Sequence, residues 1–101
     1  PMPQLLEAVR ATIAKGWCQH TLAKNSQGEP VHYGGPEAVK WCIVGAMCKN
    51  GLFGQSYVDL AQRIEEIVCT DILSWNNDRY TTQGDVLSVL DRIIKQEEKN
   101  V

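Results

Sequence analysis

No stretch of this chain is apolar enough for long enough to cross a membrane. Its most apolar run, Ala38 to Cys48, is eleven residues with one charge, against the roughly 18 that a span requires. No charge of one sign prevails either. Ten Lys and Arg against twelve Asp and Glu leave a net charge of −2, which excludes a general electrostatic pull toward nucleic acid or anionic lipid. The spacings that make zinc sites recognisable, Cys-x-x-Cys and His-x-x-x-His, are missing. There is no internal repeat, linker or low-complexity tract. A signal peptide is not expected, because the N-terminus is amphipathic rather than a charged start before a greasy core. Pro1 ahead of Met2 reads as the scar of a removed purification tag.

What remains is the composition of an ordinary globular domain, 44 % apolar and 22 % charged, over 101 residues. That length makes one domain, residues 1–101, able to bury about two-thirds of its unfolded surface. The four cysteines, Cys18, Cys42, Cys48 and Cys69, are irregularly spaced, and most fall in apolar patterns where a free thiol behaves as a small hydrophobe. Reduced thiols in a cytoplasmic protein are the expectation.

Apolar periodicity predicts the elements. Leu5, Leu6, Val9, Thr12 and Ile13 give a first helix ending at Gly16. Trp17 to Ala23 and Pro30 to Tyr33 read as two short strands around the Asn25–Glu29 turn, with Trp17 and Tyr33 as anchors. The run from Ala38 to Cys48, behind Gly35-Pro36-Glu37 and ahead of Lys49-Asn50-Gly51, reads as a second helix. Being apolar on every side, it should stand in the middle of the molecule. Gly45 and Ala46 would let a neighbouring helix come close. Ser56 to Asp59 resembles a capping box opening a third helix. Ile72 to Trp75 is a short turn, and Thr82 caps a last helix carrying Val86, Leu87, Leu90, Ile93 and Ile94. The polar tail, about residues 97–101, is expected to fray. The fold class is therefore mainly α: a compact four-helix domain with a small β-hairpin between the first and second helices.

Several of these segments together resemble a domain-of-unknown-function family of small bacterial and phage proteins. They are Gly16-Trp17-Cys18-Gln19, Asn25 to Val31 with its Gly28-Glu29-Pro30-Val31, Trp41-Cys42-Ile43-Val44-Gly45-Ala46, and Trp75-Asn76-Asn77-Asp78. The likeness runs in order over about nine-tenths of the chain. It departs at His20, where the family more often has glycine, and at Asn77, which changes or interrupts the Trp-Asn-Asp motif. The resemblance implies a shared fold and brings no activity with it. Its phage members make inhibition of a host or defence protein the implied role.

Three constellations compete. A cysteine hydrolase would use Cys42 as nucleophile, His20 or His32 as base and Asn76 or Asp78 to orient the imidazole. Placed two turns inside an apolar helix, however, Cys42 would be buried and inert. A zinc site would draw on Cys18 and His20, two apart on a strand, with His32 and Cys42 or Cys48. The third constellation is a polar and aromatic patch of Trp17, Gln19, Trp75, Asn76, Asp78, Arg79 and Tyr80, with Lys40 and Trp41 nearby, residue types that dominate binding hot spots. Against it, Trp41 and Trp75 have apolar neighbours suited to a core, and Asn76 and Asp78 suit turns. Helices carrying Glu65 and Glu66, or Asp85 and Asp91, are too mixed in charge to enter a DNA groove. The expectation is a non-catalytic cytoplasmic binding protein without a cofactor, its partner another protein and its oligomeric state open.

Overall fold

The computed structural model of the chain describes residues 2–99. Pro1, with its reading as a tag scar, and Asn100 and Val101 of the tail lie outside the described residues. Among the described residues the architecture is mainly helical, with five helices and one small antiparallel hairpin. In chain order they are α1 (Met2–Lys15), β1 (Ala23–Lys24), β2 (Lys40–Trp41), α2 (Ile43–Lys49), α3 (Gln55–Val68), α4 (Ile72–Asn76) and α5 (Gln83–Lys99). Among the described residues, no helix is long and apolar enough to cross a membrane.

The three long helices follow their apolar stripes. Leu6, Val9 and Ile13 of α1, Leu60 and Ile64 of α3, and Val86, Leu90 and Ile93 of α5 are all fully buried in one core. Arg10 fastens α1 to α5 by donating to both oxygens of Asp91, at 2.6 and 3.2 Å. That guanidinium holds the Asp91 carboxyl below its ordinary value. Arg63 of α3 reaches Glu97 at 2.7 Å. The residues expected to begin a frayed tail, 97–99, thus continue α5 as helix.

Capping residues set the helix starts. Thr82 Oγ1 accepts from the Asp85 N–H, and Asp85 Oδ2 accepts from the Thr82 N–H, a reciprocal capping box ahead of α5. The box expected at Ser56 does not form. The cap of α3 falls two residues earlier, at Gly54, and the Ser56 hydroxyl turns back to the Phe53 carbonyl. Phe53 and Val58, both exposed, occupy the two positions of a hydrophobic staple about that start.

Two corrections concern the middle of the chain. The central helix is shorter than its apolar run, beginning at Ile43 rather than near Ala38. The donors that would extend it are taken by other segments. Val39 N–H bonds the Lys24 carbonyl, Trp41 N–H the Gly16 carbonyl, and Cys42 N–H the Leu22 carbonyl. The hairpin is displaced accordingly. Ala23 pairs with Trp41 and Lys24 with Lys40, whereas only a single bridge, Lys24 to Pro30, survives of the expected pairing. The Asn25–Glu29 turn forms as expected, with Asn25 Oδ1 accepting from the Gln27 and Glu29 N–H groups. The fifth helix, α4, replaces the expected turn because Asp71 caps it, accepting from the Ser74 N–H at 3.0 Å and the Ser74 hydroxyl at 2.6 Å.

Within α2, Ile43, Gly45, Ala46 and Met47 are buried while Val44 and Cys48 are half-buried, so most but not all of the helix surface is covered by the rest of the molecule. Gly45 does admit a close neighbour, but that neighbour is the Leu22 backbone rather than a helix. A methyl group at Gly45 would strike the Leu22 carbonyl, which is fixed by its bond to Cys42. Gly45→Ala should therefore lower the free energy of unfolding in urea by about 1–3 kcal/mol or more. Gly84→Ala, where the nearest atom is Thr82 Oγ1 at 3.7 Å, should raise it by up to about 1 kcal/mol.

Candidate functional site: the junction around Asn76

The short α4 turns one polar side chain inward. Asn76 is fully buried, and its amide uses its full hydrogen-bonding capacity there. Oδ1 accepts from the Trp17 indole N–H and from the Ile43 backbone N–H, both at 2.9 Å. Nδ2 donates to the Cys18 carbonyl at 3.2 Å and to Asn77 Oδ1 at 3.0 Å. One amide thereby joins α4, the 17–20 segment and the start of α2.

A second tier of bonds lies outside it. Gln19 Nε2 donates to the Asn76 carbonyl at 3.0 Å and the Asp78 carbonyl at 2.8 Å. The His20 N–H donates to Asn77 Oδ1 at 2.9 Å, and the Tyr80 N–H to Asp78 Oδ1 at 2.8 Å. Of the expected patch, Trp17, Gln19, Asn76 and Asp78 are thus brought together. Trp75 packs part-buried against the core. Arg79 and Tyr80 pair with each other: the guanidinium donates to the Tyr80 hydroxyl at 2.6 Å and its carbon lies 4.7 Å from the ring centre. Lys40 and Trp41 belong to the hairpin, with Trp41 buried and its indole N–H given to the Tyr33 carbonyl.

Beside the junction is a cavity of about 200 Å³ lined by His20, Thr21, Leu22, Cys42, Leu73 and Asn77. Leu22 (39 % exposed) and Leu73 (45 %) open it to solvent, and Tyr80, beyond α4 in the chain, is 74 % exposed. Leu22, Leu73 and Asn77 went unrecognised in the sequence. The two leucines look like strand or core residues there, and Asn77 like an interruption of a motif.

Cys42 and His20 do share this cavity, while His32 does not. His32 stacks on Tyr33 at 4.3 Å and accepts the Gly34 N–H on Nδ1. Cys42 is the residue capping α2, not one deep inside it, and its sulfur accepts the Gly45 N–H at 3.3 Å. Burial pushes its thiol above the ordinary cysteine value, and the Cys18 thiol, for the same reason, up to about 11. Asn76, offered as orienting group, has no free valence for an imidazole. The segment that was to present Cys18 and His20 on one strand face is a series of bends, with His20 in the left-handed region at φ 70°. Cys18, His20, His32 and Cys42 therefore form no ligand cluster. Among the described residues, no three His, Cys, Asp or Glu side chains are placed to hold a metal ion.

With the geometry in place, comparison with known proteins adds one decisive observation. The profile of a family of unknown function, DUF6197, matches residues 1–96. The chain belongs to that family. Comparison with curated proteins and with solved structures yields no match. As a DUF6197 member the chain inherits no assigned chemistry, so the junction must be read from its own residues.

Two substitutions probe it. Asn76→Ala strips partners from the Trp17 indole, the Ile43 N–H and the Cys18 carbonyl, and should cost at least about 3 kcal/mol in denaturant unfolding. His20→Gly relieves a left-handed non-glycine residue and should stabilise by about 1 kcal/mol. A loss of stability in the second variant would mean that the imidazole itself supports the junction.

Proposed function

We propose that this DUF6197 chain is a small non-catalytic binding protein whose partner-facing surface is the Asn76 junction. The observation that carries this reading is the pairing of a fixed polar base with an apolar rim. Leu22, Leu73 and Tyr80 stand exposed on two segments that Gln19, Asn76 and Asn77 bind to one another. Large side chains exposed on a rigid support lose little entropy when covered, which is the economy of a hot spot. The partner is another protein. The resemblance to phage-borne members extends the proposal to inhibition of a host or defence protein, acting in the cytoplasm.

A cysteine hydrolase is the second reading, and the cavity shared by Cys42 and His20 favours it. The raised thiol pKa and the sulfur's role as helix cap weigh against it.

Two measurements separate the readings. Arg79→Ala with Tyr80→Ala should weaken partner capture at least tenfold (about 1.4 kcal/mol) without lowering the melting temperature; unchanged capture would remove the junction from consideration. In the folded protein, iodoacetamide should label exposed Cys69 well before buried Cys42. Fast, single-site reaction at Cys42 would instead revive the hydrolase.

A further inference from the structure

The positive charge of this chain is unevenly placed. Four of its six lysines, Lys15, Lys24, Lys40 and Lys49, gather where the hairpin meets the ends of α1 and α2. Lys24 and Lys40 are direct cross-strand partners. Lys40 packs beside Gly16, its Cγ 3.0 Å from where a Gly16 Cβ would stand, and Lys15 precedes that glycine. Lys15 and Lys49 line a cleft of about 500 Å³ with Gly34, Gly35, Pro36, Ala38, Val39 and Trp41, and the Lys49 ammonium sits 5.4 Å over the Trp41 ring. Among the described residues, none of the four has a carboxylate within salt-bridge distance. The acidic groups facing this end are Glu29, held by Asn25 Nδ2 at 3.0 Å, and Glu37, beside Gly35.

Helix dipoles explain part of this arrangement. Lys15 and Lys49 lie in the last turns of α1 and α2, where a cation offsets the carbonyl end. No such account covers Lys24 and Lys40. Like charges directly opposite each other in an antiparallel pair are destabilising, and nothing on the strands neutralises them. A repulsive cross-strand pair, with Lys40 packed on the glycine that follows Lys15 and with Lys15 and Lys49 lining an open cleft, makes a surface suited to receive negative charge.

We propose that this lysine-rich end docks an acidic segment of a partner protein. Three observations favour polypeptide over nucleic acid. The patch contains no arginine to fork onto phosphate. The indole on its cleft is buried and engaged with Tyr33, so that ring is not offered to a base. Val39, on the cleft wall, is an exposed apolar side chain of the kind a peptide covers. The inference rests on the reading of the chain as a binding protein, but on a different surface from the junction.

The test is fluorescence anisotropy with a labelled octaglutamate peptide and the full chain. Binding should be saturable and weaken at least about tenfold between roughly 20 and 200 mM salt. Lys15→Glu with Lys49→Glu should weaken it by a further factor of about ten or more. The same charge change on α5, Lys95→Glu with Lys99→Glu, should leave it within about twofold, as should the Arg79→Ala, Tyr80→Ala pair. Lys40→Glu is the discriminating variant, since it turns a repulsive cross-strand pair into an attractive one. It should raise the melting temperature while weakening the peptide, which a purely structural lysine would not do. Absence of peptide binding, equal weakening by the α5 variant, or tighter binding of a single-stranded oligonucleotide of equal charge would each overturn the proposal. Any of these would leave the junction reading intact.

Discussion

Everything near the junction depends on the satisfied burial of one side-chain amide. Asn76 sits in the core with two acceptor and two donor contacts, each to a different group. A buried amide without partners costs several kcal/mol, whereas a fully bonded one is close to neutral and fixes geometry. The arrangement therefore tolerates one relative placement of α4, the 17–20 segment and the first turn of α2. It also completes the start of α2, where the Ile43 N–H goes to Asn76 and the Gly45 N–H to the Cys42 sulfur. A seven-residue helix has little stability of its own. Capping by a distant residue ties its existence to the tertiary fold.

That dependence explains what was legible in the sequence and what was not. The stripes of α1, α3 and α5 are local properties, and so is the Thr82–Asp85 box, so periodicity and capping chemistry expose them. The Asn25 turn is equally local. Lys40 and Trp41 differ because their extended state is decided by carbonyls of Gly16, Leu22 and Lys24 on other segments. An apolar run with a proline before it and a glycine after it carries no sign of those partners, so it reads as helix to its first residue. Asn76 suffers the same ambiguity. Asparagine beside Asn77 and Asp78 suits an exposed turn, and only the cap at Asp71 rotates it inward. Leu22 and Leu73 fail in the opposite sense: apolar residues are expected inside, and the sequence holds nothing that marks two of them as rim.

Cys42 stands under two opposed influences. Placement deep in a helix would make the thiol inert, but the residue is in fact at the helix start, where the dipole favours thiolate. Two effects then oppose each other. The backbone N–H groups of Val44 and Gly45 lower the pKa, while desolvation raises it, and desolvation is the larger. The sulfur's lone pair is also committed to the Gly45 N–H. His20 meets a related constraint. At φ 70° the backbone there favours glycine. Histidine is held in that conformation by the Asn77 Oδ1 bond to its N–H, which leaves the imidazole free at the cavity mouth.

A catalytic centre and a docking surface make different demands on such a junction. Catalysis needs a reactive group whose pKa and valences are free for substrate. Here the buried polar groups spend theirs on each other: Asn76 on three segments, Cys42 on its own helix, Gln19 on two carbonyls. Docking needs the reverse, a base with nothing left to reorganise and a rim with area still to cover. On the proposed docking role, the exposed Leu22, Leu73 and Tyr80 would supply that area and the Asn76 network the stiffness beneath it. The lysine-rich end offers charge rather than apolar surface, because Lys24 and Lys40 stand directly opposite each other in the hairpin and like charges so placed repel.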